Sequence, residues 1–505
     1  MSRITVDIDL NRVEGDLEFQ VDLEDGVVVD ARCVGTLYRG FEQIMIGRAP
    51  RDALVITPRV CGICGTAHLY AATLALEQIA HITPPAHAVQ VRNLCLMAET
   101  LQSDLRQSFL FFTPDFCNAI YAAHPLAAEL RDAFTPLKGS VVRGTLKATR
   151  DVLGIVALFG GQWPHSTYML PGGISQPANS RRILDSRGIL AAVRAWFEQS
   201  VIGGRLEEWM ALDSADALFR WQAAAAGRER SALGLFNRFS RDIGLHRLGR
   251  GTGHLLSYGV NPQPFGEARD LPAGFFNADT QQIETLDQSQ INEHVRHSWF
   301  LDYPGGRHPW EGETIPDHQP GSDRYTWAKA PRYGDKVVQT GPLAELRIAG
   351  EPLISDLLAR EGDNTWLRQF ARLRRAGWLI GAMSETLQAI KASMDQPHYI
   401  DPGIDVWPDG ESYGLVEAAR GGLGHWLRIR NGVIDKYQIV TPTAWNASPR
   451  DSAGRHGHWE QSIIGLPVPD PANPVDIGHI VRSHDPCLVC TVHFIGSQRK
   501  THFNV

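Results

Sequence analysis

Residues 67–112 read AHLYAATLALEQIAHITPPAHAVQVRNLCLMAETLQSDLRQSFLFF, and their period decides the fold class. Apolar side chains recur at helical spacing through residues 67–82, which predicts a helix with a broad apolar face. Pro84 and Pro85 interrupt it, because proline lacks the N–H that a helix interior needs. The same theme then resumes to residue 112. Working outward, helical spacing returns in GSVVRGTLKATRDVLGIVALFGG (139–161), SRGILAAVRAWFEQSVIGGRLEEWM (186–210) and NTWLRQFARLRRAGWLIGAMSETLQAIKASM (364–394). These segments are long enough to pack as a bundle.

Either side of them the period is different. ITVDIDLNRVEGDLEFQVDLEDGVVVDARCVG (4–35) alternates apolar and polar residues, with EDG as a turn, and predicts a β-meander or hairpin. Between about 251 and 341, Gly, Pro, Trp and Tyr accumulate and helical periodicity fades. After Asp401, GLVEAARGGLGHWLRIRNGVIDKYQIVTP predicts strands joined at NGV, before a helical approach to DPCLVC. The expected fold class is α+β and mainly helical: a central long-helix bundle, peripheral β-structure, and the two chain ends brought to one site. The corresponding divisions are 1–66 for a β-region with the first cysteine pair, 67–250 for the bundle, 251–345 for an irregular lobe, 346–400 for the bundle's continuation, and 401–505 for a C-terminal β/α region.

Composition narrows the class further. The 505 residues are 43% hydrophobic and 21% charged, which is ordinary for a soluble globular protein, and long enough for several lobes. A net charge of -7 gives no reason to expect nucleic acid or an anionic membrane as partner. MSRITVDIDLNRVEGD lacks the apolar stretch of a signal peptide, and no run of about 18 apolar residues predicts a direct membrane span. A cytoplasmic location follows as the expectation, or a membrane association made through a partner. Seven cysteines, an odd number in so long a chain, do not suggest a disulfide scaffold.

Four of them form two pairs, Cys61 with Cys64 and Cys487 with Cys490, both CxxC. That spacing lets two thiolates turn toward one point. Four soft thiolates suit zinc, iron–sulfur or nickel rather than magnesium or calcium. On spacing alone, a zinc clip joining the chain ends stays open beside other thiolate sites. A redox dithiol fits less well, since no thioredoxin-like βαβ context accompanies the pairs.

The flanks add information. RVCGICGTAH (59–68) and DPCLVCTVH (485–493) resemble the paired signatures of nickel–iron hydrogenase large subunits. RVEGD (12–16), YRGFEQIMIGRAPRDA (38–53), YTWAKAPRY (325–333), EAARGGLGHW (417–426) and TPTAWNASPRD (441–451) stand in the family's order, so the resemblance spans nearly the whole chain. It implies heterolytic cleavage of dihydrogen at a nickel–iron centre whose iron carries carbon monoxide and cyanide. All four cysteines would bind nickel, with Cys64 and Cys490 bridging to iron and Cys61 and Cys487 terminal. Glu14 matches the glutamate that relays a proton from a terminal cysteine. Arg420 matches the arginine above the open face of the metals, with Asp104 and Asp485 holding it by charge-assisted bonds. The family usually has proline before that arginine, and here Ala419 stands there.

Thr443 matches a hydrogen-bonding group for a cyanide, and His68 one for a cysteine sulfur. Glu42 and His493 match ligands of a magnesium-type ion. Ile63 and Phe112 occupy gas-channel positions where many members carry valine and leucine, a pairing similar to that of hydrogen-sensing and oxygen-insensitive uptake members. FIGSQRKTHFNV follows His493, where catalytic members usually carry an extension that a protease removes.

Cys33, Cys95 and Cys117 are scattered and cannot supply the four ligands of an iron–sulfur cluster. The resemblance therefore implies an iron–sulfur small subunit as electron acceptor, with a dimer of heterodimers left open. The alternative is a regulatory subunit that signals hydrogen to a kinase-type partner.

Overall fold

The computed structural model describes residues 3–9, 12, 17–263, 268–319 and 321–487. The N-terminal meander forms as expected. Strands β1 (Arg3–Asp9), β2 (Leu17–Glu24) and β3 (Val27–Gly35) pair antiparallel in that order. Asp25 and Gly26 turn the chain between β2 and β3 with positive φ, a conformation glycine adopts without strain.

The apolar periods become helices. These are α1 (Gly65–Ala80), α2 (Ala86–Arg106), α3 (Ser140–Gly160), α4 (Ser180–Trp196) and α5 (Thr365–Ala392). Pro85 lies just before α2 in extended conformation, so the Pro-Pro break separates α1 from α2. Helix α2 packs against both α3 and α5, and α4 packs against the same two. The segment expected as helix through residues 186–210 is interrupted: a π-turn at Phe197–Ile202 follows α4, and the short helix Leu206–Met210 comes after Gly203 and Gly204.

Among the described residues from 251 to 341 the strands are short, the longest of four residues, with one 3-10 turn at Gln288–Gln290. After it, β4 (Gly410–Ala418), β5 (Gly421–Arg430) and β6 (Val433–Val440) form a second antiparallel meander. Helix α1 lies across β4 and β5. Gly414 permits this approach, because a Cβ there would collide with the Ala71 carbonyl. Helix α6 (Val475–Ser483) then leads to Asp485, Pro486 and Cys487.

The principal core runs through all five long helices and includes Cys61, Cys64 and Cys487. A second core joins the N-terminal sheet to the C-terminal segment through Phe19, Val21, Trp459, Ile463 and Ile480. Polar ties reinforce that joint: the Cys33 N–H donates to Glu460 (3.0 Å), and Val28 N–H to the Leu466 carbonyl (3.0 Å). Among the described residues no helix is long and apolar enough to cross a membrane.

Candidate metal centre

Cys61 follows the 3-10 turn Thr57–Arg59, and Cys64 caps the N-terminal end of α1. The first N–H groups of a helix have no partner within it and favour negative charge nearby. Glu99 of α2 accepts two of them, from Thr66 (3.0 Å) and Ala67 (3.2 Å). Burial pushes the Glu99 carboxyl up to about 7, against these bonds and one from the Trp163 indole.

Cys487 comes from the far end of the chain, yet its sulfur lies 3.6 Å from that of Cys61. A disulfide would need about 2.05 Å. Two sulfurs each about 2.3 Å from one tetrahedral metal lie roughly 3.8 Å apart, so the observed spacing suits a shared metal. All three described cysteines of the two pairs are buried. The Ile63 N–H points at the Cys61 sulfur (3.3 Å), and the Cys487 N–H donates to the Thr443 hydroxyl (3.2 Å). Thr443 is thus placed against Cys487.

Arg420 stands at the tip of the β4–β5 hairpin, where Ala418 pairs with Gly421 and leaves a two-residue loop. Gly421 has φ +128°, a region closed to most L-residues, and a Cβ there would strike Thr340. The guanidinium donates from Nε to the Asp485 carbonyl (3.0 Å) and forms an ion pair from Nη2 to the Asp485 carboxylate (3.1 Å). Burial disfavours its charge, but Asp485 and the thiolates of Cys487, Cys61 and Cys64 outweigh this and hold Arg420 well above its ordinary value. Its cation therefore lies within electrostatic reach of the sulfurs.

Asp104 departs from expectation. Its carboxylate is taken by Arg375 of α5, at 3.0 Å and 2.6 Å, with Arg372 at 3.7 Å. Among the described residues no bond joins Asp104 to Arg420. The reason is reach: Asp104 lies on α2 and meets the arginine face of α5 first. Arg375 also donates to the Ala419 carbonyl and to Glu345, so Asp104 acts on the hairpin tip one residue removed. Arg375 was missed in the sequence, although four arginines at 368, 372, 374 and 375 inside an apolar helix are a signal of buried ion pairing.

His68 lies in the first turn of α1, its N–H donating to the Cys64 carbonyl (3.2 Å). Its Nδ1 pairs with His425 Nε2 at 3.0 Å, and His425 Nδ1 with the Tyr437 hydroxyl at 2.8 Å. Burial lowers His68 to about 4, with the Cys61 charge opposing, so the ring is neutral near pH 7. Neither His425 nor Tyr437 was singled out from sequence.

Phe112 packs in an aromatic cluster with Phe116 and Phe236, at 5.7 Å and 6.1 Å between ring centroids. Among the described residues none of its ring partners belongs to the cysteine site. Glu42 forms a separate cluster: it accepts from Lys329 Nζ (3.0 Å) and the Ile439 N–H (2.9 Å), while Lys329 also pairs with Glu293 (2.8 Å). Glu14, Cys490 and His493 lie outside the described residues. Cys33, Cys95 and Cys117 sit on separate elements, and burial raises all three thiols, Cys95 to about 12, which keeps them protonated.

Among the described residues no three His, Cys, Asp or Glu side chains close on one point. The donor set nevertheless fits nickel and iron: buried soft thiolates, a facing cation, and unspent polar atoms at Arg420 Nη1, Asp485 Oδ2 and His68 Nε2, each without a partner among the described residues. At Glu42, two carboxyls share one lysine, burial and the neighbouring Glu42 push Glu293 up to about 7, and Glu293 Oε1 is likewise unpartnered among the described residues. That set fits a hard, hydrated dication.

Comparison with known proteins agrees. The nickel-dependent hydrogenase family matches residues 39–136 and 239–493. The periplasmic NiFeSe hydrogenase large subunit of Desulfomicrobium baculatum is 31% identical, covering 98% of this chain and 96% of its own. The uptake hydrogenase large subunit of Rhodobacter capsulatus is 28% identical over 98% of this chain and 96% of its own. Among solved structures, the Ni-Fe-Se hydrogenase of D. vulgaris Hildenborough in its as-isolated oxidized state superposes with a TM-score of 0.82 at 30% identity, over 97% of this chain and 100% of that one. The chain belongs to the nickel-dependent hydrogenase family. It is an enzyme, and within that family its type is the nickel–iron hydrogenase large subunit. Selenium is a property of the relatives so named; all four positions of the two pairs are cysteine here.

Proposed function

We propose that this chain oxidises dihydrogen to two protons and two electrons at a nickel–iron centre held by Cys61, Cys64, Cys487 and Cys490, and passes the electrons to an iron–sulfur small subunit. The observation that carries this is the convergence of Cys61 and Cys487, 3.6 Å apart and 426 residues apart in sequence, under the cation of Arg420. When bound, the metals supply the Lewis acidity that polarises dihydrogen, with carbon monoxide and cyanide completing the iron.

The chain's own groups handle charge and protons. Arg420, held by Asp485 and aimed by Gly421, fixes a positive charge beside the reacting face, where it orients a base. A terminal thiolate, Cys61 or Cys487, takes the first proton at sulfur, and Glu14 receives it for export. The Thr443 hydroxyl, bonded to the Cys487 N–H, keeps its own proton to offer to a cyanide. Ile63 and Phe112 narrow the gas route, favouring dihydrogen over dioxygen. Glu42 and His493 would hold a magnesium-type ion, with Lys329 and Glu293 beside Glu42 in the same cluster. The small subunit is supported by the large-subunit names of the relatives and by the isolation of Cys33, Cys95 and Cys117 from one another. The location proposed is the cytoplasm, or a membrane surface reached through the partner.

Metal analysis and infrared spectroscopy on the protein purified with its partner test this reading. Equal nickel and iron, carbon monoxide and cyanide bands, and hydrogen-dependent dye reduction are expected. Zinc alone, with no such bands, overturns it.

A further inference from the structure

One buried chain of polar groups has no part in the steps above. It runs from Tyr437 on β6 through His425 on β5 to His68 on α1, with contacts of 2.8 Å and 3.0 Å. All three side chains are fully buried. Leu427 pairs with Tyr437 across the strands, so His425 and Tyr437 are diagonal neighbours on one face of the sheet, two residues out of register. That is the face on which α1 packs, and α1 carries Cys64 and His68 in its first turn. At the near end, His68 Nε2 is buried and has no partner among the described residues, while the charge of Cys61 acts on the ring.

We infer that Tyr437 and His425 lock His68 in the tautomer whose Nε2–H donates to a thiolate of the metal-binding cysteines. The inference rests on the nickel–iron reading above. A neutral imidazole donates from one nitrogen and accepts at the other. Suppose the Tyr437 hydroxyl donates to His425 Nδ1. Then His425 carries its proton on Nε2 and donates to His68 Nδ1, and His68 must carry its own on Nε2. In the reverse order the phenol O–H would be buried with nothing to bond among the described residues. His68 Nε2 would then present a lone pair to sulfurs that, as thiolates, only accept. Both ends of the chain therefore select the same register. A buried donor left unpaired is costly, so the phenol acts as the lock.

His425 and Tyr437 are positioning residues, acting on the metals only through His68. An N–H donated to a thiolate draws charge from sulfur and weakens its donation to the metals. Without it, more electron density reaches the diatomic ligands and their stretching bands move to lower wavenumber.

The test compares infrared spectra of the complex purified with its partner, at matched nickel and iron content. Tyr437→Phe removes the lock, and its carbon monoxide and cyanide bands are expected to shift to lower wavenumber. His425→Leu is expected to shift them likewise. His425→Gln preserves the register, because its amide oxygen accepts from Tyr437 and its amide N–H donates to His68, and its bands are expected at wild-type positions. Unmoved bands in a fully loaded Tyr437→Phe protein, or a Gln variant that shifts as far as the Leu variant, overturn the inference. If Tyr437→Phe fails to fold or to take up nickel, the contrast between Gln and Leu at 425 decides. Wild-type protein without any such bands refutes the nickel–iron reading itself, and the lock with it.

Discussion

Arg420 is a buried cation whose position is set by its neighbours rather than by its own side chain. Gly421 makes the hairpin turn possible, Arg375 holds the preceding carbonyl, and Asp485 takes the guanidinium from two sides. Lysine at 420 would keep the charge but lose the planar fork that meets both the carbonyl and the carboxylate of Asp485. Arg420→Lys is therefore expected to lower hydrogen oxidation on the order of 100-fold, the scale of losing one preorganised charge donor. Nickel and iron content should not change. A variant that keeps its full rate would move the charge role to another residue. Ala419, where the family usually has proline, offers its carbonyl to Arg375, so the tip is restrained by a hydrogen bond as well as by the turn.

At the level of elements, α5 is a long helix with arginines buried among apolar residues, and each finds carboxylates or carbonyls on other elements. Arg375 joins α2 through Asp104, the helix Pro342–Ile348 through Glu345, and the β4–β5 tip through Ala419. Removing one partner of a buried ion pair leaves the others charged and dry. Arg375→Leu should cost about 3–5 kcal/mol of stability, seen as a large fall in melting temperature. An unchanged melting temperature would show that these carboxyls are neutral in the folded protein.

Helix α1 presents a second case. Burial raises the Glu99 carboxyl to about 7, above the roughly 4.3 of an unfolded glutamate. The folded state then binds the proton more tightly, so its contribution to stability is complete below about pH 4.3 and is lost as pH rises through about 7. Melting temperature should decline across that window, and Glu99→Gln, which cannot titrate, should flatten the decline. A variant with the wild-type slope would contradict the assignment.

Across the whole molecule, the candidate metal centre is the place where the segment carrying Cys61 meets the segment carrying Cys487. The second core ties the N-terminal sheet to the segment that leads to Cys487, while the principal core carries Cys61 and Cys64. Among the described residues Cys33, Cys95 and Cys117 lie on different elements, so they do not gather into the four-thiolate set that an iron–sulfur cluster needs. If the proposed iron–sulfur small subunit carries the electrons away, the chain stripped of that partner but still loaded with nickel and iron should lose hydrogen-dependent reduction of a soluble acceptor. A separated large subunit that reduces dyes at the rate of the complex would require an electron route through this chain alone.

The sequence by itself determined most of the long helices and both meanders, because period and turn residues are local properties; it did not show the π-turns that break the helical stretches after Trp196 and Arg106. It also pointed to Arg420 and Asp485 through their flanking motifs, and the structure pairs them. Only the tertiary structure decided which carboxylate reaches which arginine. Asp104 is claimed by Arg375, 271 residues away, because α2 and α5 are adjacent, and no spacing along the chain encodes that. The same holds for the line from Tyr437 to His68, built from two strands and a helix whose residues are joined by hydrogen bonds and by no motif. Local chemistry is written in neighbouring residues, whereas the partner of a buried charge or a buried hydroxyl depends on which surfaces pack, and packing is settled by the chain as a whole.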